Sequence, residues 1–204
     1  MEKLDFKKSL GFLYKASAIK PDIVTVPKLN YLMVDGHGDP NNSKLFQDAI
    51  EVLFSMAYTI KFMIKKGLQQ IDFGVMPLEA LWWMDDMKEF SMENKSKWKW
   101  TIMIMQPDFV TNAIFEQAKE LVAKKKNPVL LKDVRLESME EGLCAQILYI
   151  GPYDKETSTI IKLHEFIKEN GYNLHGKHRE IYMNDMRRTA PEKLKTIIRQ
   201  PMMK

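Results

Sequence analysis

Gly176-Lys177-His178-Arg179-Glu180-Ile181-Tyr182-Met183-Asn184-Asp185 starts after a glycine and stops at an Asn-Asp pair. It reads as a β-strand closed by a turn. Strand side chains alternate, so His178, Glu180 and Tyr182 share one face and Arg179, Ile181 and Met183 share the other. A carboxylate under cover among aromatic rings is costly unless it is paired or used. Glu180 is therefore the first candidate functional residue.

Earlier segments echo this one. Leu81-Trp82-Trp83-Met84-Asp85-Asp86-Met87 resembles Glu180-Ile181-Tyr182-Met183-Asn184-Asp185-Met186, and Tyr31–Pro40 resembles Ala145–Asp154. In both series a helix separates the two members, and each series gains a further strand. An internal duplication follows, of two β-α-β-β units at about 23–106 and 129–190 with a linking helix at about 110–125. The expected fold class is α+β, a mainly antiparallel sheet with helices on one face and a ligand groove on the other. Residues 1–22 read as a lead-in segment, and 23–204 as one small-molecule-binding domain.

The individual elements support this map. Leu29 to Asp35 is rich in β-branched and aromatic residues, which suits a strand. One of Asn41, Asn42 and Ser43 caps a helix from about Lys44 to Lys66, where Phe46, Ile50, Leu53, Ala57, Ile60 and Ile64 follow helical spacing. Gly67 stops it. Strands are expected over Met76–Trp83, Lys97–Met105 and Leu143–Ile150. Residues 129–138 suit either a short helix or a strand. A helix over Lys155–Asn170 ends at Gly171, read as a left-handed cap.

Composition narrows the function. The 204 residues are 45% hydrophobic and 28% charged with a net charge of +4, which suits an ordinary globular protein. The Lys124-Lys125-Lys126 run suits a helix C-terminus, so direct nucleic-acid binding is not expected. No apolar run approaches the ~20 residues that span a bilayer, and no signal peptide is read at the charged N-terminus. The single cysteine, Cys144, excludes intramolecular disulfides and fits a reducing, cytoplasmic setting. The four histidines form no metal pattern, and no phosphate-loop pattern follows Gly36-His37-Gly38. No metal or organic cofactor is implied.

The Tyr149-Ile150-Gly151-Pro152-Tyr153 turn, the His178–Asp185 strand and the Thr189–Pro201 tail together resemble the GyrI-like small-molecule-binding family. Trp98-Lys99-Trp100-Thr101-Ile102-Met103-Ile104-Met105-Gln106-Pro107 resembles its stand-alone branch. The resemblance runs from about Val26 to Pro201. It implies the duplicated β-α-β-β layout and a glutamate on a central strand that meets ligand among aromatics. Related domains serve as effector domains of multidrug-sensing transcription activators. Some stand-alone members resemble gyrase modulators, and others are cyclopropanoid hydrolases, which open the cyclopropane of DNA-alkylating natural products. No DNA-binding helix-turn-helix segment is read before this domain.

On that resemblance the expected activity is binding of a hydrophobic aromatic small molecule in an inter-repeat cleft, with hydrolysis of a cyclopropane ring that protects the cell. Glu180 is the expected base or water-orienting group, and Tyr182 is its partner, as hydroxyl donor or stacking ring. Trp83, Trp100, Tyr149 and His178 are the expected ligand contacts. Trp83 is the counterpart of Tyr182 and faces it across the groove, while Trp82 points into the core. The competing reading of Glu180 is a structural ion pair with Arg179, Arg187 or Lys177. Glu79 reads as a solvated strand end. The alternative functions are non-catalytic sequestering or sensing, and modulation of gyrase, for which the sequence offers no support.

Overall fold

Alternating residues build one large sheet. The computed structural model describes residues 2–41, 43–87 and 92–204. In chain order the strands and α-helices are β1 (Glu2–Leu4), α1 (Phe6–Ser9), α2 (Gly11–Tyr14), β2 (Asp22–Val26), β3 (Leu29–His37), α3 (Lys44–Lys66), β4 (Ile71–Phe73), β5 (Leu78–Trp83), β6 (Lys99–Gln106), α4 (Asn112–Lys125), β7 (Arg135–Met139), β8 (Gly142–Ile150), α5 (Thr157–Glu169), β9 (Asn173–Leu174), β10 (His178–Tyr182) and β11 (Lys195–Met203). The main sheet runs β2-β8-β11-β10-β5-β6-β3-β7, with β9 added against β11. Every pairing in it is antiparallel. Residues 129–138 turn out to hold both of the expected alternatives, a short 3-10 helix at Leu131–Asp133 and then β7.

The element order β-α-β-β occurs twice. β3-α3-β5-β6 makes one half and β8-α5-β10-β11 the other, and the halves join where β10 pairs with β5. The edge strands are exchanged between them: β2 lies on β8, and β7 lies on β3.

Both long helices cover the same sheet face. α3 starts at Ser43, whose hydroxyl accepts from the Phe46 N–H at 3.2 Å, so Ser43 is the cap among the three candidates. Asn42 lies outside the described residues. The helix ends at Gly67, whose N–H donates to Met63 O at 2.8 Å. It buries Ala49, Val52, Leu53, Met56, Ala57, Ile60 and Ile64. Each large apolar side chain among them contributes about 1.5–3 kcal/mol on burial. α5 buries Leu163 and Ile167 in a second cluster with Ala145, Ile147, Ile198 and Met202. The chain leaves α5 through Gly171 at φ +77, the left-handed geometry expected for it.

Sheet register fixes which residues face the helices. Phe46 of α3 stacks on Trp82 with ring centroids 5.6 Å apart. Trp82 pairs with both Trp100 and His178, and Glu180 pairs with Ala80 and Ile198. Cross-strand partners share a face. His178, Glu180 and Tyr182 therefore face the side that carries α3 and α5.

Part of the opposite face, where the sequence reading put the groove, is covered by the N-terminal segment, while Asp35, Trp83 and Lys99 line an open depression farther along it. The Tyr14 hydroxyl donates to Glu79 Oε1 at 2.9 Å, Arg199 Nη2 donates to Leu13 O at 2.5 Å, and Gln146 Nε2 donates to Phe12 O at 2.8 Å. Beneath that cover Arg179 pairs with both Glu79 and Glu141, and its Nη2 donates to the Tyr31 hydroxyl at 2.8 Å. Glu79 and Arg179 are both 0% exposed, so Glu79 is a buried ion-pair partner and not a solvated strand end. Arg179 spends its donors there, which rules it out as the structural partner of Glu180.

Candidate functional site

β10 places three of the expected residues together. The Glu180 carboxylate accepts from the Tyr182 hydroxyl at 2.7 Å, and its other oxygen stands 3.3 Å from His178 Nε2. Glu180 and His178 are buried, at 7% and 3% exposure. Directly opposite Glu180 on β5 is Ala80. The Tyr153 ring packs edge-on against Tyr182, with centroids 5.5 Å apart.

A fourth member was not foreseen. Glu156 occupies the N-cap position of α5 but makes no capping hydrogen bond. Its side chain is buried instead, with its carboxyl within hydrogen-bonding reach of Glu180. Two carboxyl groups bond to each other only through a proton that one of them carries. No donor among the described residues reaches Glu156 Oε2, whereas Glu180 accepts from Tyr182 and faces His178. The proton therefore belongs to Glu156.

The electrostatics agree. Burial, then the Glu180 charge and the hydrogen bond shared with it, push the Glu156 carboxyl up to about 10, against the pull of Lys95. Burial works to raise Glu180 as well. The hydrogen bond and charge of His178, with the bonds from Tyr182 and Glu156, outweigh it and hold Glu180 below the usual carboxylate value. Burial, reinforced by Glu180, lifts the Tyr182 phenol well above its ordinary value, so it remains a donor. Burial and then the His178 charge pull His164 of α5 down to about 4. Two adjacent carboxyls pushed apart in this way are the usual marks of an acid and a base.

The other expected contacts are dispersed. Tyr149 lies on the same face and the same cross-strand row as Thr196 and Tyr182. Its hydroxyl donates to Pro152 O at 3.0 Å, and its phenol feels the Glu156 charge, so it borders the site. Trp100 is fully buried in the α3 half, edge-on to Phe46 at 5.2 Å, with two strands' spacing between it and His178. Its ring lies over Gly36, where a Cβ would come within 2.1 Å of it. Trp83 is not across a groove from Tyr182. It lies at the far end of β5, on the face of Arg179, with the Lys177 ammonium 3.4 Å from its ring centroid. The duplication aligned Trp83 with Tyr182, but antiparallel pairing puts Tyr182 beside Leu78. A one-residue offset between the halves exchanges the faces. Trp82 is the tryptophan beside the site: it pairs with His178, and its Nε1 is buried without a hydrogen-bond partner.

Glu156 gave no separate signal in sequence, because an acid at a helix start is the ordinary choice there. Unpartnered buried polar atoms gather here as well. Glu156 Oε2, Thr196 Oγ1, Trp82 Nε1 and His164 Nε2 all belong to residues facing or flanking β10 on the helix side. Such atoms are rare in native proteins and mark places built for a further polar group.

Residues 19–202 match the model of the GyrI-like small molecule binding domain. The chain belongs to that family. A hydrolase from Listeria innocua is 40% identical, with TM-score 0.89, covering 99% of this chain and 100% of its own. An uncharacterised conserved protein of the same organism is 39% identical, with TM-score 0.90 and coverage of 98% and 100%. The C-terminal domain of EcmrR shares the fold at 14% identity and TM-score 0.54, covering 91% and 98%. A comparison with curated proteins gives no match. Among the described residues no helix is long and apolar enough to cross a membrane.

Proposed function

We propose that this GyrI-like protein binds hydrophobic aromatic small molecules beside β10 and adds water across a strained cyclopropane conjugated to a dienone. The observation that carries the reading is the buried Glu180 carboxyl, bonded by Tyr182 and flanked by His178 in an aromatic surround. The hydrolase from Listeria innocua, alike over almost the whole chain, supports it.

In the reaction Glu180 takes a proton from water as the water oxygen bonds to a cyclopropane methylene. The ring bond to the quaternary carbon breaks, and its electron pair passes into the dienone, which becomes a phenolate and then a phenol. The net change is addition of one water. Tyr182 fixes the Glu180 rotamer and keeps the second carboxylate oxygen directed at the water.

The test is incubation with a spirocyclopropyl cyclohexadienone, with mass analysis for the hydrated phenol. Wild-type protein is expected to turn it over, and Glu180→Gln to lose about 100-fold or more in kcat. Equal turnover by the variant removes Glu180 from the mechanism. Saturable binding with no chemical change favours a sequestering protein, the reading closest to the family's own description.

A further inference from the structure

We propose that Glu156 is the proton donor of this site and that its hydrogen bond to Glu180 resets the pair after each turnover. The inference rests on the hydrolytic reading and names the residue that completes it. The Glu156 side chain makes no capping bond to α5 and is buried instead. There it lies near three tyrosines, 149, 153 and 182, whose phenols its ionised form would push up. With Oε2 unreached by any donor and Glu180 already accepting from Tyr182, the carboxyl carries a proton that no neighbouring base has taken.

The proton count closes. Glu180 gains one proton from the attacking water, and Glu156 gives one to the dienone oxygen as the ring bond breaks and the ring aromatises. The site is left with Glu180 protonated and Glu156 ionised. Transfer across the hydrogen bond that joins them restores the starting state, with no group from solution. Tyr182 is the poorer donor, because burial and then the Glu180 charge hold its phenol well above its ordinary value. The Lys95 charge favours the ionised Glu156 that exists between donation and reset.

The experiment pairs kinetics with infrared spectroscopy on the full chain. With the spirocyclopropyl cyclohexadienone, Glu156→Gln is expected to lower kcat about 100-fold with little change in KM. Its remaining activity should rise steadily with acidity, as solvent protons replace the lost donor, and Glu156→Asp should restore part of the rate. In wild-type protein near neutral pH, difference spectra should contain a protonated-carboxyl stretch that Glu156→Gln lacks and that shifts when the dienone is added. A Glu156→Gln enzyme within twofold of wild type with an unchanged pH profile overturns the proposal, as does absence of the carboxyl band. If wild-type protein leaves the dienone intact, the hydrolytic reading fails by itself. The infrared band then decides the assignment of the proton: a band lost in Glu156→Gln and shifted by the bound dienone supports it, and an unshifted or missing band refutes it.

Discussion

A glutamate at the first position of a helix ordinarily accepts from backbone N–H groups. Glu156 forgoes those bonds and is buried against another carboxylate. Burial of a group as its acid has a signature in stability. The folded protein holds this proton up to about 10, whereas the unfolded chain releases it near 4.5. Between those values the unfolded state binds fewer protons, so the contribution of Glu156 is full below the lower value and is lost as pH rises. The loss reaches at most roughly 1.4 kcal/mol per pH unit. Glu156→Gln is neutral throughout and escapes it. The variant's Tm relative to wild type is therefore expected to climb from about pH 5 to about pH 9 in thermal melts, and a constant difference would contradict the protonated state. Of the site's residues, strand alternation made His178, Glu180 and Tyr182 legible, because period two needs only local sequence. Glu156 was illegible, since Asp154-Lys155-Glu156 has the composition of any helix start and its partner lies 24 residues on in another element.

At the scale of elements, the duplication was readable as repeated order but not as register. Neither pair of strands keeps its faces: Tyr31 lies with Arg179 whereas Ala145 lies with the α5 cluster, and Leu81 lies with Arg179 whereas Glu180 faces the helices, so Trp82 and not Trp83 comes to the Glu180 side. The register makes a direct prediction. Trp82→Phe alters the ring beside His178 and is expected to weaken dienone binding several-fold, whereas Trp83→Phe leaves it within twofold. A fluorescence titration of both variants checks this, and the reverse ranking would restore the sequence-based alignment.

At the scale of the molecule, helices cover one side of the sheet and the N-terminal segment covers part of the other. The family match begins at residue 19, yet residues 12–14 reach the buried cluster around Arg179 and Arg199. Composition marked this stretch only as a lead-in, because its role depends on partners 65 to 186 residues away. Deleting residues 1–18 removes the Tyr14 and Leu13 bonds and admits water to paired buried charges. A loss of about 3–5 kcal/mol is expected, as for a buried pair deprived of its supports, read as the drop in unfolding free energy in urea. A truncated chain as stable as the full one would make the segment dispensable. The cluster lies on the face opposite Glu180, and through Arg179, the neighbour of Glu180 in β10, it anchors the strand that presents the carboxylate. The sheet thus carries the Arg179 ion-pair cluster on one side and the Glu180 cluster on the other, back to back.

The most direct test of the central claim, that Glu180 acts as a base on water and not as a nucleophile, is a single turnover of the spirocyclopropyl cyclohexadienone in heavy-oxygen water with excess protein. Water attack predicts that the new alkyl hydroxyl of the product carries the label in that first turnover. An unlabelled hydroxyl would mean that a protein oxygen had attacked first and formed an ester, which contradicts the assignment of Glu180 as the base.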